Sequence, residues 1–365
     1  AVYVFILIGV VVASFIESGT IAAIVYYGLD LIHPTVFLPM GLILCSFMSV
    51  CVGSMLGTVA TVGVILIGIG AAMGVPLPIV AGMVIAGASF GDKMSPISDT
   101  TNLAALATGT DLYTHIKSML YTTIPTYFIC LIIFTFIGLE YADQTLSTEG
   151  ILNFKTAIDD HFIISFWGFI PIIVLFTLSF KRVAAEPSMI VASGLAVIIA
   201  VLQQNHDIVS ILGSLQNGYF AETGNQDLNQ LLNRGGILGM MPTLAIALFA
   251  MALGGLLDKA GYLHSMLYGI LNHLKGMIQL LAATMLTGFV SSIATGQSFI
   301  SIVLTAQLFK KKYEDMGLKR RMLSRTIEES TTLITPLMPW SLGGAFYSGA
   351  MGVSVFEYAP WAFLN

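Results

Sequence analysis

The chain has 365 residues, 56% hydrophobic and only 10% charged, with a net charge of −5 and a mean hydropathy of +0.88. Soluble domains carry about a quarter charged residues, so the composition excludes a water-soluble globular protein, and the small, dispersed negative charge excludes a nucleic-acid partner. Cys45, Cys51 and Cys130 stand in apolar stretches without metal-ligand spacing, which excludes a disulfide framework or zinc site and leaves them as small core residues.

The chain opens "AVYVFILIGV", with neither a start methionine nor the basic flank of a signal peptide, so further helices are expected before residue 1. Polar and Gly/Pro-rich points divide the rest into apolar segments near 1–16, 20–32, 36–54, 57–73, 77–90, 100–110, 118–139, 161–180, 188–203, 237–257, 262–272, 277–291, 296–309, 322–334 and 342–364. The stretches Tyr121–Leu139, Phe162–Phe180 and Ile237–Leu256 approach the roughly 20 apolar residues that a helix needs to cross a bilayer. The alternating ten-residue pattern of an outer-membrane barrel is absent. An all-α polytopic membrane protein follows, because helices satisfy their own backbone hydrogen bonds in lipid.

Several segments are too short to span, and short or interrupted segments at corresponding places in two halves point to a transporter's binding site. Three blocks recur in order at an offset of about 240 residues. "ESGTIAAIVYYG" pairs with "DKAGYLHSMLYG", "SMLGTVATVGVIL" with "SIATGQSFISIVL", and "SPISDTTNLAALATG" with "TPLMPWSLGGAFYSG". The spacing predicts two inverted repeats, residues 1–139 and 237–365, joined by connecting helices and outside loops over 140–236. The first repeat would hold a re-entrant hairpin at about 39–73 and a broken helix at about 77–110, the second a hairpin at about 277–309 and a broken helix at about 322–352. The segments 20–32 and 262–272 would lie along the membrane surface, with Glu17 and Asp258 interfacial at their feet.

The run "KKKYEDMGLKRR", Lys310 to Arg321, is the strongest basic cluster and predicts a cytoplasmic loop. His273, Lys275, Lys117 and Lys181-Arg182 would share that side, while the acidic loop Glu140–Asp160 and the amide-rich loop Gln203–Asn233 would lie outside.

Chemistry concentrates in "GDKMSPISDTTN", Gly91 to Asn102. Charges at membrane depth are costly and mark ion or proton paths. Pro96 disfavours helix at Ser95, so the stretch should unwind and free backbone groups beside a cluster of side chains. Asp92, Ser95, Ser98, Asp99, Thr100, Thr101 and Asn102 carry hard oxygen donors suited to an alkali cation. Ser98 or Asp99 can equally cap the helix that follows, and Lys93 can pair with Asp92. In the second half, Glu328 and Glu329 precede a break marked by Thr335, Pro336 and Ser341, and Glu329 can alternatively pair with Arg325. Pro339 stands where the first repeat has Asp99, which predicts an asymmetric site. Thr58 and Gln297 lie at the predicted hairpin tips and should approach the same cavity.

"GASFGDKMSPISDTTNLA", together with "LSRTIEESTTLITPLMPWSLGGAFYSGAMGV" and "FEYAPWAFLN", resembles the NhaC family of Na⁺/H⁺ antiporters, which also includes a malate/lactate antiporter. The resemblance implies a homodimer with a scaffold domain and a transport domain that moves as an elevator in the cytoplasmic membrane. It places the family's cation signature on Asp92, Ser95, Ser98, Asp99, Thr100, Thr101 and Asn102, and its acidic pair on Glu328 and Glu329. This chain departs from the usual pattern at Glu329-Ser330 and at "PWS" with Ser341. The expected activity is exchange of Na⁺ for H⁺ with no cofactor, the two ions competing for Asp99 with help from Asp92 or Glu329. The alternative is an exchanger of small carboxylates or amino acids. An intramembrane aspartyl protease would need two aspartates sharing a proton, and the repeat argues against it; a channel would need a filter motif that the chain lacks.

Overall fold

A computed structural model describes residues 2–31, 34–96, 98–141, 155–181, 183, 185–224, 228–229, 232–233, 235–261 and 276–365. Among these the chain is helical, with no strand. The surface segment expected at 262–272, and His273 and Lys275, lie outside the described residues.

Helix α1 (Val2–Glu17) bends by 65° into α2 (Thr20–Leu31). Helix α3 (Pro34–Val52) then turns back at Gly53, whose φ of 69° needs a residue without a Cβ. The returning rod, Met55–Ala72, comprises α4 (Met55–Thr58), a π-helical turn (Val59–Gly63) and α5 (Val64–Ala72). Helix α6 (Leu77–Met94) stops at Ser95, and α7 (Asp99–Thr108) resumes four residues later. The long α8 (Leu112–Glu140) carries an apolar, outward-facing surface through Tyr121, Phe128, Ile132 and Phe136. Of the span expected at Phe162–Phe180, the first four residues are not helical. A 3-10 turn begins at Phe166 and α9 (Ile170–Phe180) follows. The Gln204 side chain accepts from the Ile163 amide at 2.9 Å, so this entry segment is tied down by side chains instead.

Helices α10 (Ala185–Leu202), α11 (Ile208–Asn217) and α12 (Ile237–Lys259) lead to the second hairpin. Helix α13 (Met277–Thr295) turns at Gly296, φ 63°, into α14 (Ser298–Asp315). Helix α15 (Arg320–Thr331) ends at a break containing a 3-10 turn (Thr335–Leu337), and α16 (Leu342–Met351) resumes the path. A short α17 (Val355–Tyr358) and a final 3-10 turn close the chain.

Among the described residues, four helices are long and apolar enough to cross a membrane by themselves, Met55–Ala72, Leu77–Met94, Leu112–Glu140 and Met277–Thr295. The first two are mostly buried within the protein, whereas α8 and α13 are largely exposed, as lipid-facing helices are. Cys45 and Cys130 are buried in the main apolar core. Glu17, expected at an interface, is instead buried at the α1–α2 bend, where its Oε2 lies 2.5 Å from His206 Nδ1.

Helix α6 is held against α3 through glycine. A Cβ on Gly91 would lie 2.4 Å from the Ser46 carbonyl oxygen, and one on Gly87 2.7 Å from the Leu42 carbonyl oxygen. Small residues permit this approach where lipid offers no hydrophobic drive for helix association. Gly91→Ala is expected to cost about 1–3 kcal/mol through overpacking, read as a lower melting temperature in detergent; an unchanged melting temperature would show that the α3–α6 spacing can relax.

Candidate functional site

Both interrupted helices use residues beside the gap to satisfy the backbone that unwinding leaves unpaired. At the first break, Thr101 Oγ1 donates to the Asp92 carbonyl at 3.3 Å, and Asn102 Nδ2 donates to the carbonyls of Pro96 and Ser98 at 2.9 and 2.8 Å. Ser95 Oγ reaches across to the Val50 carbonyl of the first hairpin at 2.8 Å. At the second break, Ser341 Oγ donates to the carbonyls of Thr335 and Met338, at 2.5 and 2.9 Å, and accepts from the Gly344 amide at 2.8 Å. The C-terminal residues supply the rest. Tyr358 Oη donates to Pro336 O at 2.6 Å and Asn365 Nδ2 to Leu333 O at 3.0 Å.

Each hairpin tip docks on the break of its own half. The Met55 amide, in the first turn after Ser54, donates to the Asp92 carboxylate. The Leu342 amide donates to Gly296 O at 3.1 Å, and the Ser298 and Thr335 hydroxyls are 2.7 Å apart. The two docked pairs face one another across a cavity of about 110 Å³, bounded by Ser54, Asp92, Asp99, Gln297, Thr335 and Tyr347, with Thr100 and Thr332 also on its wall. Thr100 Oγ1 donates to Asp92 Oδ2 at 3.3 Å and lies 3.2 Å from Ser98 Oγ. Asp99 begins α7 and is exposed to the cavity. Two carboxylates therefore share one small chamber with the first residues of α4 and α7.

Of the residues singled out from the sequence, Asp92, Asp99, Thr100, Gln297, Thr335 and Pro336 meet in this chamber. Ser95, Thr101, Asn102 and Ser341 line no cavity described here, and their polar atoms bond backbone carbonyls. Thr58 Oγ1 likewise bonds the Ser54 carbonyl at 3.0 Å. Pro96 is exposed at the break. Ser54, Thr332 and Tyr347 belong to the chamber without having been singled out; Ser54 and Tyr347 lay inside the repeated blocks, which is the signal that marks them.

Lys93 and Glu329 lie on a different wall. Lys93 pairs not with Asp92 but with Glu329, at 3.5 Å, and Thr122 of α8 also donates to Glu329. They line a larger cavity of about 670 Å³ that is otherwise mainly apolar and includes Met285, Phe289 and Leu337. Glu328 is wholly buried, and neither carboxylate oxygen has a hydrogen-bond partner. Asp92 and Lys93 are the charges that act on it most strongly.

A helical membrane protein in which two helix breaks and two hairpin tips enclose a carboxylate-lined chamber is built as a transporter rather than an enzyme. The model of the Na⁺/H⁺ antiporter family matches residues 2–101 and 87–365, so the chain belongs to that family. It is 38% identical over 360 residues to the Na⁺/H⁺ antiporter NhaC of Bacillus subtilis (strain 168), covering 98% of this chain and 79% of the relative. It is 36% identical over 365 residues to the malate-2H⁺/Na⁺-lactate antiporter of the same organism, covering all of this chain and 78% of the relative. The arginine/ornithine antiporter ArcD of Halobacterium salinarum is 30% identical over 370 residues, covering all of this chain and 76% of the relative. The resemblance to NhaC seen in "GDKMSP…SDTTN" is thereby shown, and the protein is a multi-pass membrane protein.

Removing one partner of a buried ion pair typically costs about 3–5 kcal/mol, because the other charge is left uncompensated. Lys93→Met should therefore destabilise the protein strongly, while Lys93→Met combined with Glu329→Leu should recover most of the loss. Chemical denaturation in detergent micelles checks this; equal destabilisation by the single and double variants would show that the pair is not coupled.

Proposed function

We propose that the protein exchanges Na⁺ for H⁺ across the cytoplasmic membrane, with Asp92 and Asp99 as the shared cation and proton site. The observation that carries this reading is the small chamber itself, in which two carboxylates, the Thr100 hydroxyl and two helix N-termini converge in about 110 Å³. Two ionised carboxylates in so small a space repel one another, and either a Na⁺ or a proton relieves the repulsion. Competition between the ions at one site gives coupled exchange when the cavity opens alternately to the two sides and its empty, doubly charged form moves slowly. The 38% identity to the Na⁺/H⁺ antiporter NhaC supports the same reading.

The chamber size and its two acidic walls favour a bare or partly hydrated cation over a carboxylate of several atoms. Exchange of small carboxylates or amino acids is the second reading, motivated by the malate/lactate and arginine/ornithine relatives. Glu329 and Glu328 stand behind the Asp92–Asp99 pair as assisting acids, and no resident cofactor is required.

Movement is proposed to be of the elevator type. The hairpins α3–α5 and α13–α14 with the two broken helices would form the transport domain of two inverted repeats, residues 1–139 and 237–365. The remaining helices would form the scaffold of a homodimer. The basic turn between α14 and α15 supports a cytoplasmic position for Lys310–Arg321.

Reconstituted into liposomes, the wild-type protein should take up ²²Na⁺ when the lumen is acidic. Asp92→Asn and Asp99→Asn should each reduce that uptake to background. Retention of the wild-type rate by either variant would remove that residue from the site, and counterflow of a radiolabelled carboxylate would select the second reading. For topology, Lys311→Cys in a cysteine-free background should resist a membrane-impermeant maleimide in intact cells and react after permeabilisation. Ready labelling in intact cells would reverse the orientation.

A further inference from the structure

On the far side of the second break from the chamber lies the larger cavity of about 670 Å³, which the exchange chemistry above does not use. Leu333, Ile334 and Leu337 of the break line it, whereas Thr332, Thr335 and Pro336 line the chamber. Its volume falls in the range of about 300–1,000 Å³ usual for small-molecule sites. Two of its walls are α8 and α13, which both pack on α15 and are otherwise largely exposed. Ala282, Met285, Leu286 and Phe289 of α13 line the cavity and are themselves exposed, so its mouth is apolar and opens on the lipid-facing side.

Within this apolar crevice the Lys93–Glu329 pair leaves hydrogen-bonding capacity unused. The Lys93 ammonium, at 3.5 Å, and the Thr122 hydroxyl both meet the same oxygen of Glu329, Oε1, and among the described residues Oε2 has no partner. An ammonium carries three N–H groups, yet among the described residues Glu329 is the one partner of Lys93, which is only 4% exposed. Thr123, next to Thr122, also lines the cavity; it is 3% exposed, and its Oγ1 is buried without a partner. The other polar side chains of the wall are already committed, Thr126 Oγ1 to Thr122 O, Ser330 Oγ to Ile327 O and Asn365 Nδ2 to Leu333 O. Buried polar groups without partners cost free energy and call for a reason. What is missing is an acceptor for Lys93 and Thr123 and a donor for Glu329 Oε2, carried by one head group on an apolar body. An ammonium would serve Glu329 alone, and a carboxylate would serve Lys93 but be repelled by Glu329. An uncharged carboxyl group offers a C=O and an O–H side by side, and it enters hydrocarbon at far lower cost than an ion.

We infer that the crevice between α8 and α13 is a binding site for the uncharged form of a medium-chain fatty acid, taken up from the bilayer. The acid's O–H donates to Glu329 Oε2, its carbonyl oxygen accepts from Lys93 and Thr123, and its chain lies along Met285, Phe289 and Leu337. The proton stays on the acid, so the Lys93–Glu329 pair keeps its charges. The seated chain packs against the side of the second break that faces away from the cation chamber. The inference concerns binding rather than flux and stands apart from the antiport reading.

The test uses the full chain in phosphatidylcholine nanodiscs and, as probe, dodecanoic acid carrying a photoreactive diazirine at its chain end. After irradiation, peptide mass spectrometry should find the adduct on α13 or on residues 333–337. Unlabelled dodecanoic acid should suppress that adduct. Its methyl ester, which lacks the donor, and dodecylamine, which lacks the acceptor, should each need about tenfold more or higher, as expected when a buried polar group is left unpaired. Thr123→Val should weaken the labelling, and Ala282→Trp, which fills the crevice from its exposed rim, should abolish it, with melting temperatures in detergent showing that both variants fold. The competitor series is read on the wild-type protein and holds even where a variant does not fold. Adducts scattered over the lipid-facing surface without suppression by dodecanoic acid would mean bulk-lipid contact only. Equal potency of the ester or the amine would mean that the head group is not read, and undiminished labelling of folded Ala282→Trp would put the chain elsewhere; each of these results overturns the inference.

Discussion

Two interruptions in the helical backbone govern the rest of this structure. A chain that unwinds at membrane depth exposes carbonyl and amide groups that lipid cannot satisfy, and each unpaired group costs several kcal/mol. Around the second break, Ser341, Tyr358 and Asn365 are committed to the freed carbonyls of Thr335, Met338, Pro336 and Leu333. Around the first, Thr101 and Asn102 do the same. The final residues of the chain are therefore part of the site's support, although none of Tyr358, Trp361 or Asn365 lines the small chamber. With the backbone satisfied in this way, Asp92 and Asp99 line the small chamber together, Asp92 held by the Thr100 hydroxyl.

Helical geometry then sorts adjacent residues into different compartments. Neighbours on a helix are turned by about 100° from one another, so Asp92 faces the small chamber while Lys93 faces the large one. Glu328 and Glu329 are divided in the same manner. Glu328 is buried toward Asp92, and Glu329 is paired with Lys93 on the wall of the large cavity. The ion pair joins α6 to α15 beside both breaks and so ties the two halves of the molecule together there.

The hairpin tips show how little local sequence is needed for a precise approach. Gly53 and Gly296 each supply the positive φ of a tight turn, and each is followed by a polar residue, Ser54 or Gln297, that opens the next helix. The π-helical turn at Val59–Gly63 follows directly on the first tip. Such a turn rotates the residues beyond it relative to a regular helix, and π-turns often accompany functional sites.

The sequence alone determined that this is a helical membrane protein, where its helices are interrupted, and which residues could serve an ion. Those properties follow from composition, proline and the clustering of hard oxygen donors in apolar surroundings, all of which are local. Only the tertiary structure decided how those donors are used. Ser95, Thr101, Asn102 and Ser341 have the same hydroxyl or amide chemistry as Thr100, yet the former bond backbone carbonyls while Thr100 bonds the Asp92 carboxylate on the chamber wall. Likewise, nothing local directs Lys93 to Glu329 rather than to Asp92, or sets His115 against Ser324. These partners lie more than 200 residues apart in sequence and meet because the two halves pack with α7 and α8 against α15, so burial and partner choice are properties of that packing.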